Sequence, residues 1–269
     1  MSQSGVDVSS YQGTVDWTQF AGGGSTFAFI KATEGLHTVD SQFARNWATA
    51  KSAGLVRGAY HFFYPHLDPV GQARHFSQIV DIEAGDLPPV LDLEVADNFT
   101  PSALAGVVQQ FLDALERAKG APPIIYVSPG FWTGSMGNST AFGKYPLWVA
   151  HWGVALPTVP SNWSDWTFWQ TSAHGHVPGI SGEVDLDQFN DASNTLQSAA
   201  IATRTLAVGA IGPEVSALQQ ALAAGGADPG GADGIFGPNT QNAVKTFQTN
   251  HNLTSTGVVD DATRQALGL

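Results

Sequence analysis

Between Val6 and Phe189 the chain repeats one pattern: a short apolar run closing on polar or acidic residues, and then, in the first part, a segment with helical spacing. Strands joined in this way through helices and short loops lie parallel in one sheet, with the helices outside. The apolar runs fall at 6–9, 26–33, 56–64, 90–95, 123–128, 147–152, 167–172 and 184–189. Helical spacing follows the first four: Trp17 and Phe20; Phe43, Trp47 and Ala50; Val70, Ala73, Phe76 and Val80; and Ser102 to Lys119. Gly54 is a good stop signal, and Thr100-Pro101 is a good start signal. Beyond Ser128 the helical pattern fades into loops of Gly, Pro and Ser. The expected fold class is therefore α/β, a β/α barrel whose last turns have lost their helices.

In such a barrel, chemistry gathers where the strands end. The stretch Leu87-Pro88-Pro89-Val90-Leu91-Asp92-Leu93-Glu94-Val95 is the most informative of these ends. Alternation along a strand puts Val90, Asp92 and Glu94 on one face, and Leu91, Leu93 and Val95 on the other, against helices. Two carboxyls sharing a buried face oppose each other's ionisation, so one is expected to stay protonated near neutral pH, as a general acid must. Asp7 and Asp185 fall near other strand ends, as do Tyr60, Tyr126, Trp148 and Gln170. The aromatics read either as core or as flat faces for a sugar ring. The pairs His61/His66 and His174/His176 lack a third ligand at motif spacing, so no metal and no cofactor is expected.

A composition shift marks a boundary. All eight Trp residues precede a Ser, Thr, Ala and Asn stretch. Residues 1–193 are expected to form the barrel, 194–205 a linker and 206–269 a small three-helix domain. The last part carries an internal repeat, with Asp233-Gly234-Ile235-Phe236 leading to Thr240, and Thr256-Gly257-Val258-Val259 leading to Thr263. Its expected helices are 213–224, 238–250 and 260–267, with Thr240 and Thr263 structural near helix starts. It has no acid cluster like that of the barrel, which points to binding rather than catalysis.

Charge and composition narrow the function classes. A formal net charge of −12 argues against a nucleic-acid partner. With no cysteine there is no thiol nucleophile and no disulfide. No apolar run reaches the length of a membrane span, and the start of the chain has no signal-peptide pattern, so no membrane insertion is expected.

Gly5-Val6-Asp7-Val8-Ser9-Ser10-Tyr11-Gln12-Gly13, Phe29-Ile30-Lys31-Ala32-Thr33-Glu34-Gly35, Gly58-Ala59-Tyr60-His61-Phe62, Leu91-Asp92-Leu93-Glu94, Leu147-Trp148-Val149-Ala150, Trp169-Gln170 and Val184-Asp185-Leu186-Asp187-Gln188-Phe189 occur in that order. Together they resemble glycoside hydrolase family 25, the Chalaropsis-type lysozymes. The resemblance implies a flattened (β/α)5(β)3 TIM-like barrel that cuts the β-1,4 bond between N-acetylmuramic acid and N-acetylglucosamine. Residues 206–269 resemble the three-helix peptidoglycan-binding module of wall hydrolases, through Gln219, the Asp233-to-Gly237 turn, Thr240, Ala243-Val244 and Phe247-Gln248. His151 and Thr171 depart from the family pattern, where Tyr and an aromatic residue are common.

The resemblance implies Glu94 as general acid, its pKa raised by burial and the charge of Asp92. Asp92 would orient the substrate's 2-acetamido group in substrate-assisted retention, with Asp7 and Asp185 holding Asp92 and the sugar; the rival is inversion through an activated water. Tyr60, Tyr126, Trp148 and Gln170 are the expected sugar contacts. The expected partner is bacterial peptidoglycan, met by a monomer outside the cell, either secreted or released as a phage endolysin. Other readings of the residues are a chitinase on a similar barrel, or a wall-binding protein without activity.

Overall fold

The computed structural model describes residues 3–192, 196–200 and 205–269. In chain order the barrel elements are β1 (Gln3–Val8), α1 (Trp17–Gly22), β2 (Phe27–Glu34), β3 (Thr38–Val39), α2 (Phe43–Ser52), β4 (Val56–Phe62), α3 (Pro69–Ile79), β5 (Val90–Asp92), α4 (Pro101–Lys119), β6 (Ile124–Val127), α5 (Pro129–Gly134), β7 (Leu147–Ala150), β8 (Phe168–Gly175) and β9 (Val184–Phe189). The sheet runs β1-β9-β8-β7-β6-β5-β4-β2, and β1 pairs with β2 to close the ring, so the expected closed α/β barrel is present. The short β3 adds a hairpin to β2 outside the ring.

One strand departs from the expected all-parallel order. β9 runs antiparallel to both β1 and β8. The connection from Gly175 to Val184 carries no helix, and a short link returns the chain alongside its predecessor, whereas a parallel partner needs a long crossover. The departure moves Asp185. It comes from the start of its strand, and the reversed direction brings that start to the mouth where the other strands end.

Alternation sorts the core into two layers. Outward residues such as Ala28, Ile30, Leu91, Ile125, Val127 and Val149 pack under the helices. Inward residues Phe27, Phe29, Val90, Ile124, Trp148, Phe168 and Phe189 fill the ring. Further along the same faces the inward residues turn polar: Asp7, Lys31, Asp92, Gln170 and Asp185. The ring is thus plugged with aromatics at one end and carries acids at the other. His61 points outward; its Nδ1 meets Thr33 Oγ1 at 2.8 Å, its Nε2 meets Gln72 Oε1 at 3.2 Å, and its ring stacks on Phe111.

Helix starts follow local chemistry. Asp16, Asp68, Thr100 and Ser128 each accept a backbone N–H of the turn they open, and Pro69, Pro101 and Pro129 occupy first-turn positions where a missing N–H costs nothing.

Of the expected linker, residues 194, 195 and 201–204 lie outside the described residues, as do Met1 and Ser2. Leu196, in α6 (Leu196–Ala199), is buried against the inner layer of the barrel, so that part of the segment packs on the barrel. The last part of the chain forms α7 (Pro213–Ala224), α8 (Pro238–Asn250) and α9 (Asp261–Leu267) around their own core of Val215, Leu218, Leu222, Val244, Phe247 and Val259. Here the sequence repeat becomes a repeated polar staple. Gln219 Nε2 donates to Thr240 Oγ1 at 3.0 Å while Gly234 N donates to Gln219 Oε1. Gln248 does the same with Thr263, at 3.0 Å, and Gly257.

Candidate active site

All eight residues singled out in the sequence line one cleft at the polar mouth of the ring: Asp7, Asp92, Glu94 and Asp185, with Tyr60, Tyr126, Trp148 and Gln170. The cleft continues on both sides. One hollow shares Glu94, Tyr126 and Trp152 with it and runs on to Phe131 and His151. The other shares Asp7, Tyr60 and Asp185 and runs on to Gln12 and Tyr11, whose side chain is 95% exposed. The result is a long groove with its acids in the middle.

The burial of the Asp92/Glu94 pair is opposite to expectation. Asp92 is only 6% exposed, whereas Glu94, two residues past the strand end, is exposed. The carboxyl held well above the ordinary aspartate range is that of Asp92, first through burial, then through the charge of Glu94 and a hydrogen bond to it. Asp92 Oδ1 is sealed from solvent and receives no N–H or O–H. Both facts favour a neutral Asp92 carboxyl on the floor of the cleft.

A second acid pair lies across the β1–β9 seam. Asp7 sits opposite Asp185, and the next inward residue of β9 is Asp187, which sequence reasoning gave no role. Burial raises Asp7 well above its usual range, with the charge of Asp185 adding to it and hydrogen bonds from Gln170 and Asp187 opposing it. Asp185 is pushed up to about 6, chiefly by burial and then by Glu94. The Tyr60 and Tyr126 hydroxyls are pushed up by burial and by the surrounding aspartates, which keeps them neutral.

Two of the expected sugar contacts also brace the acids. Trp148 is 2% exposed, stacks on Phe29 at 4.1 Å and packs edge-on to Tyr126 at 4.6 Å, and its Nε1 donates to Asp187 Oδ1 at 2.8 Å. At that exposure the ring brings little of its surface to the cleft. Gln170 donates to Asp7 Oδ2 at 2.6 Å, and its Oε1 accepts from Tyr126 Oη and Trp152 Nε1, each at 2.9 Å. Beside the acids, the aromatic that faces solvent is Trp152, 51% exposed. Lys31 and Phe62 also line the cleft, with Lys31 Nζ bound to Glu34 at 2.7 Å and lying 5.0 Å from the Phe62 ring. The period-two rule would have found these: Lys31 shares a face with Phe29, Phe62 with Tyr60, and Asp187 with Asp185. Among the described residues no group of three or more His, Asp or Glu is placed to hold a metal ion.

A family model described as glycosyl hydrolases family 25 matches residues 6–180, and one described as a putative peptidoglycan binding domain matches residues 211–267. The uncharacterized protein YegX of Escherichia coli (strain K12) is 41% identical over 199 residues, covering 72% of each chain. Lysozyme M1 of Streptomyces globisporus is 38% identical over 205 residues, covering 71% of this chain and 69% of that protein. The crystal structure of the bacterial lysozyme from Streptomyces coelicolor is similar with a TM-score of 0.71 at 35% identity, over 74% of this chain and 97% of that one.

Proposed function

The chain belongs to glycosyl hydrolase family 25 and is a lysozyme acting on peptidoglycan, and from that membership we propose how its residues divide the work. Glu94, at the rim and in the groove, delivers a proton to the oxygen that leaves when the β-1,4 bond from N-acetylmuramic acid to N-acetylglucosamine breaks. Asp92 supplies that proton to Glu94 as substrate covers the pair. Left ionised, it accepts the N–H of the 2-acetamido group and aims the carbonyl oxygen at the anomeric carbon. Glu94, now a carboxylate, takes a proton from the water that opens the resulting cyclic intermediate, and the anomeric configuration is retained. Asp7 and Asp185 keep a negative field beneath the oxocarbenium-like centre. Tyr60, Tyr126 and Trp152 bear on the sugar, while Trp148 and Gln170 hold the acids.

The observation that carries this reading is the buried Asp92 carboxyl in hydrogen-bonding contact with the exposed Glu94, in the middle of a groove that continues on both sides. A cleft lined by four acids repels a polyphosphate and admits a glycan strand. Residues 1–193 are assigned the chemistry and 206–269 the hold on the wall, with 194–205 between them, in a monomer working at the bacterial cell wall. Mass spectrometry of digested peptidoglycan tests the bond cut, with fragments ending in reducing N-acetylmuramic acid expected. NMR of the first product formed tests the stereochemistry, and an initially inverted anomer would overturn substrate-assisted retention.

A further inference from the structure

Asp187 is the most enclosed acid of the site, 1% exposed, and the division of work above does not use it. Its Oδ1 accepts from Trp148 Nε1 at 2.8 Å. Its Oδ2 is sealed from solvent with no N–H or O–H aimed at it. The group it hydrogen-bonds is another acid, Asp7, which lies diagonally across the β1–β9 ladder. Asp7 Oδ2 already accepts from Gln170. Two carboxyls in contact in a dry floor must share a proton. Each has one oxygen engaged by a donor, Trp148 on Asp187 and Gln170 on Asp7, but the other oxygen of Asp187 is sealed and unserved, and Asp187 is the more enclosed of the two, 1% exposed against 8%.

We infer that Asp187 is a positioning residue that works as a neutral acid: its O–H donates to the Asp7 carboxylate and, with Gln170, fixes that carboxylate beneath the reacting sugar. The electrostatics agree. Burial holds Asp187 well above its usual range, with the charge of Asp7 next. The bond between them raises Asp187 and lowers Asp7. The charged groups bearing on the pair are Asp185 on β9, Glu94 beyond β5, and Asp92 on β5 acting through Asp7. β4 and β6 contribute the neutral Tyr60 and Tyr126, β7 and β8 the neutral Trp148 and Gln170, and Lys31 on β2 bears on Asp92.

The inference rests on the lysozyme reading for its kinetics, but its proton can be seen without them. In the full chain, Asp187→Asn replaces the O–H donor with an N–H donor, and Asp187→Leu removes it. Asp187→Asn is expected within about fivefold of the parent kcat on purified walls, one neutral hydrogen bond having been exchanged for another. Asp187→Leu is expected to lose about 100-fold in kcat, the scale of a misplaced catalytic group, with KM little changed. Its acid limb in kcat/KM shifts to higher pH, because Asp7 has lost a donor; the acid limb of Asp187→Asn stays in place. Carboxyl-carbon NMR of the parent at pH 7 should show, beside the signal of the protonated Asp92, a second protonated aspartate signal that Asp187→Asn removes. A folded Asp187→Asn as inactive as Asp187→Leu, or no such protonated signal, overturns the assignment. A parent chain that releases no muropeptides overturns the lysozyme reading instead, and the NMR signal still decides the acid pair.

Discussion

Asp92 is held in a state that favours the reaction over the fold. A carboxyl whose folded pKa lies above its unfolded one contributes most stability below the unfolded value and loses it as pH rises through the folded value. Asp92→Asn removes that loss, so its melting temperature at pH 8 is expected to exceed the parent's while wall lysis disappears; an unchanged or lower melting temperature would count against a buried, proton-loaded Asp92. His61 has the opposite sign. Burial pushes it down to about 3, so it resists the proton that an unfolded histidine accepts below its ordinary value. Its contribution is full above about pH 6.5 and shrinks as pH falls toward its folded pKa. Between pH 6 and 4, His61→Gln should therefore lose stability less steeply than the parent, by about 1.4 kcal/mol per pH unit in urea titrations. At this scale positions are more legible in the sequence than partners. Alternation put Trp148 and Gln170 on the correct face, but which atom meets Asp187 or Asp7 depends on strands 39 and 163 residues away.

The elements show where local signals suffice. Thr100-Pro101 announced α4, and Ser128-Pro129 is the same kind of signal for α5, which was missed because its six residues are too few to display a helical period. The direction of β9 was not legible either: alternation is the same read forward or backward, and only the missing crossover helix hinted at reversal. Inside the ring the packing depends on glycine as much as on phenylalanine. A Cβ on Gly58 would lie 2.5 Å from the Phe29 ring, and one on Gly5 equally close to Phe27. Gly58→Ala is expected to destabilise by about 1–3 kcal/mol in chemical denaturation, the usual range for overpacking. A neutral result would mean that the aromatic plug has room to shift.

A buried cation bridges the two parts of the molecule. Lys119, at the end of α4, donates to Ser77 O and Val80 O at the end of α3 and to Ile211 O, and meets Glu214 Oε1 at 3.3 Å in the first turn of α7. Gly212, at φ 144°, lets the chain pass; a Cβ there would lie 2.7 Å from Lys119 Nζ. Lys119→Met leaves buried carbonyls and a carboxylate uncompensated, a loss of about 3–5 kcal/mol for such pairs. The expected readout is a larger radius of gyration in small-angle scattering, with cleavage of short soluble glycans unchanged. Asp81 gives the contact a pH dependence: burial, then Glu214, raises it to about 6, so docking is firmest in acid and weakens as pH rises through that value. Asp81→Asn should flatten this trend.

The seam at which the ring shuts joins the first barrel strand to the last. While the chain is still leaving the ribosome, Asp7 is made early and waits without a neighbour on its open side until Val184–Phe189 emerges. Such distant pairing is slow to form and late in folding. The newborn polypeptide therefore passes nearly all of its first domain's synthesis with no working set of acids, and it becomes able to cut a cell wall in a single step, when the last stave is set.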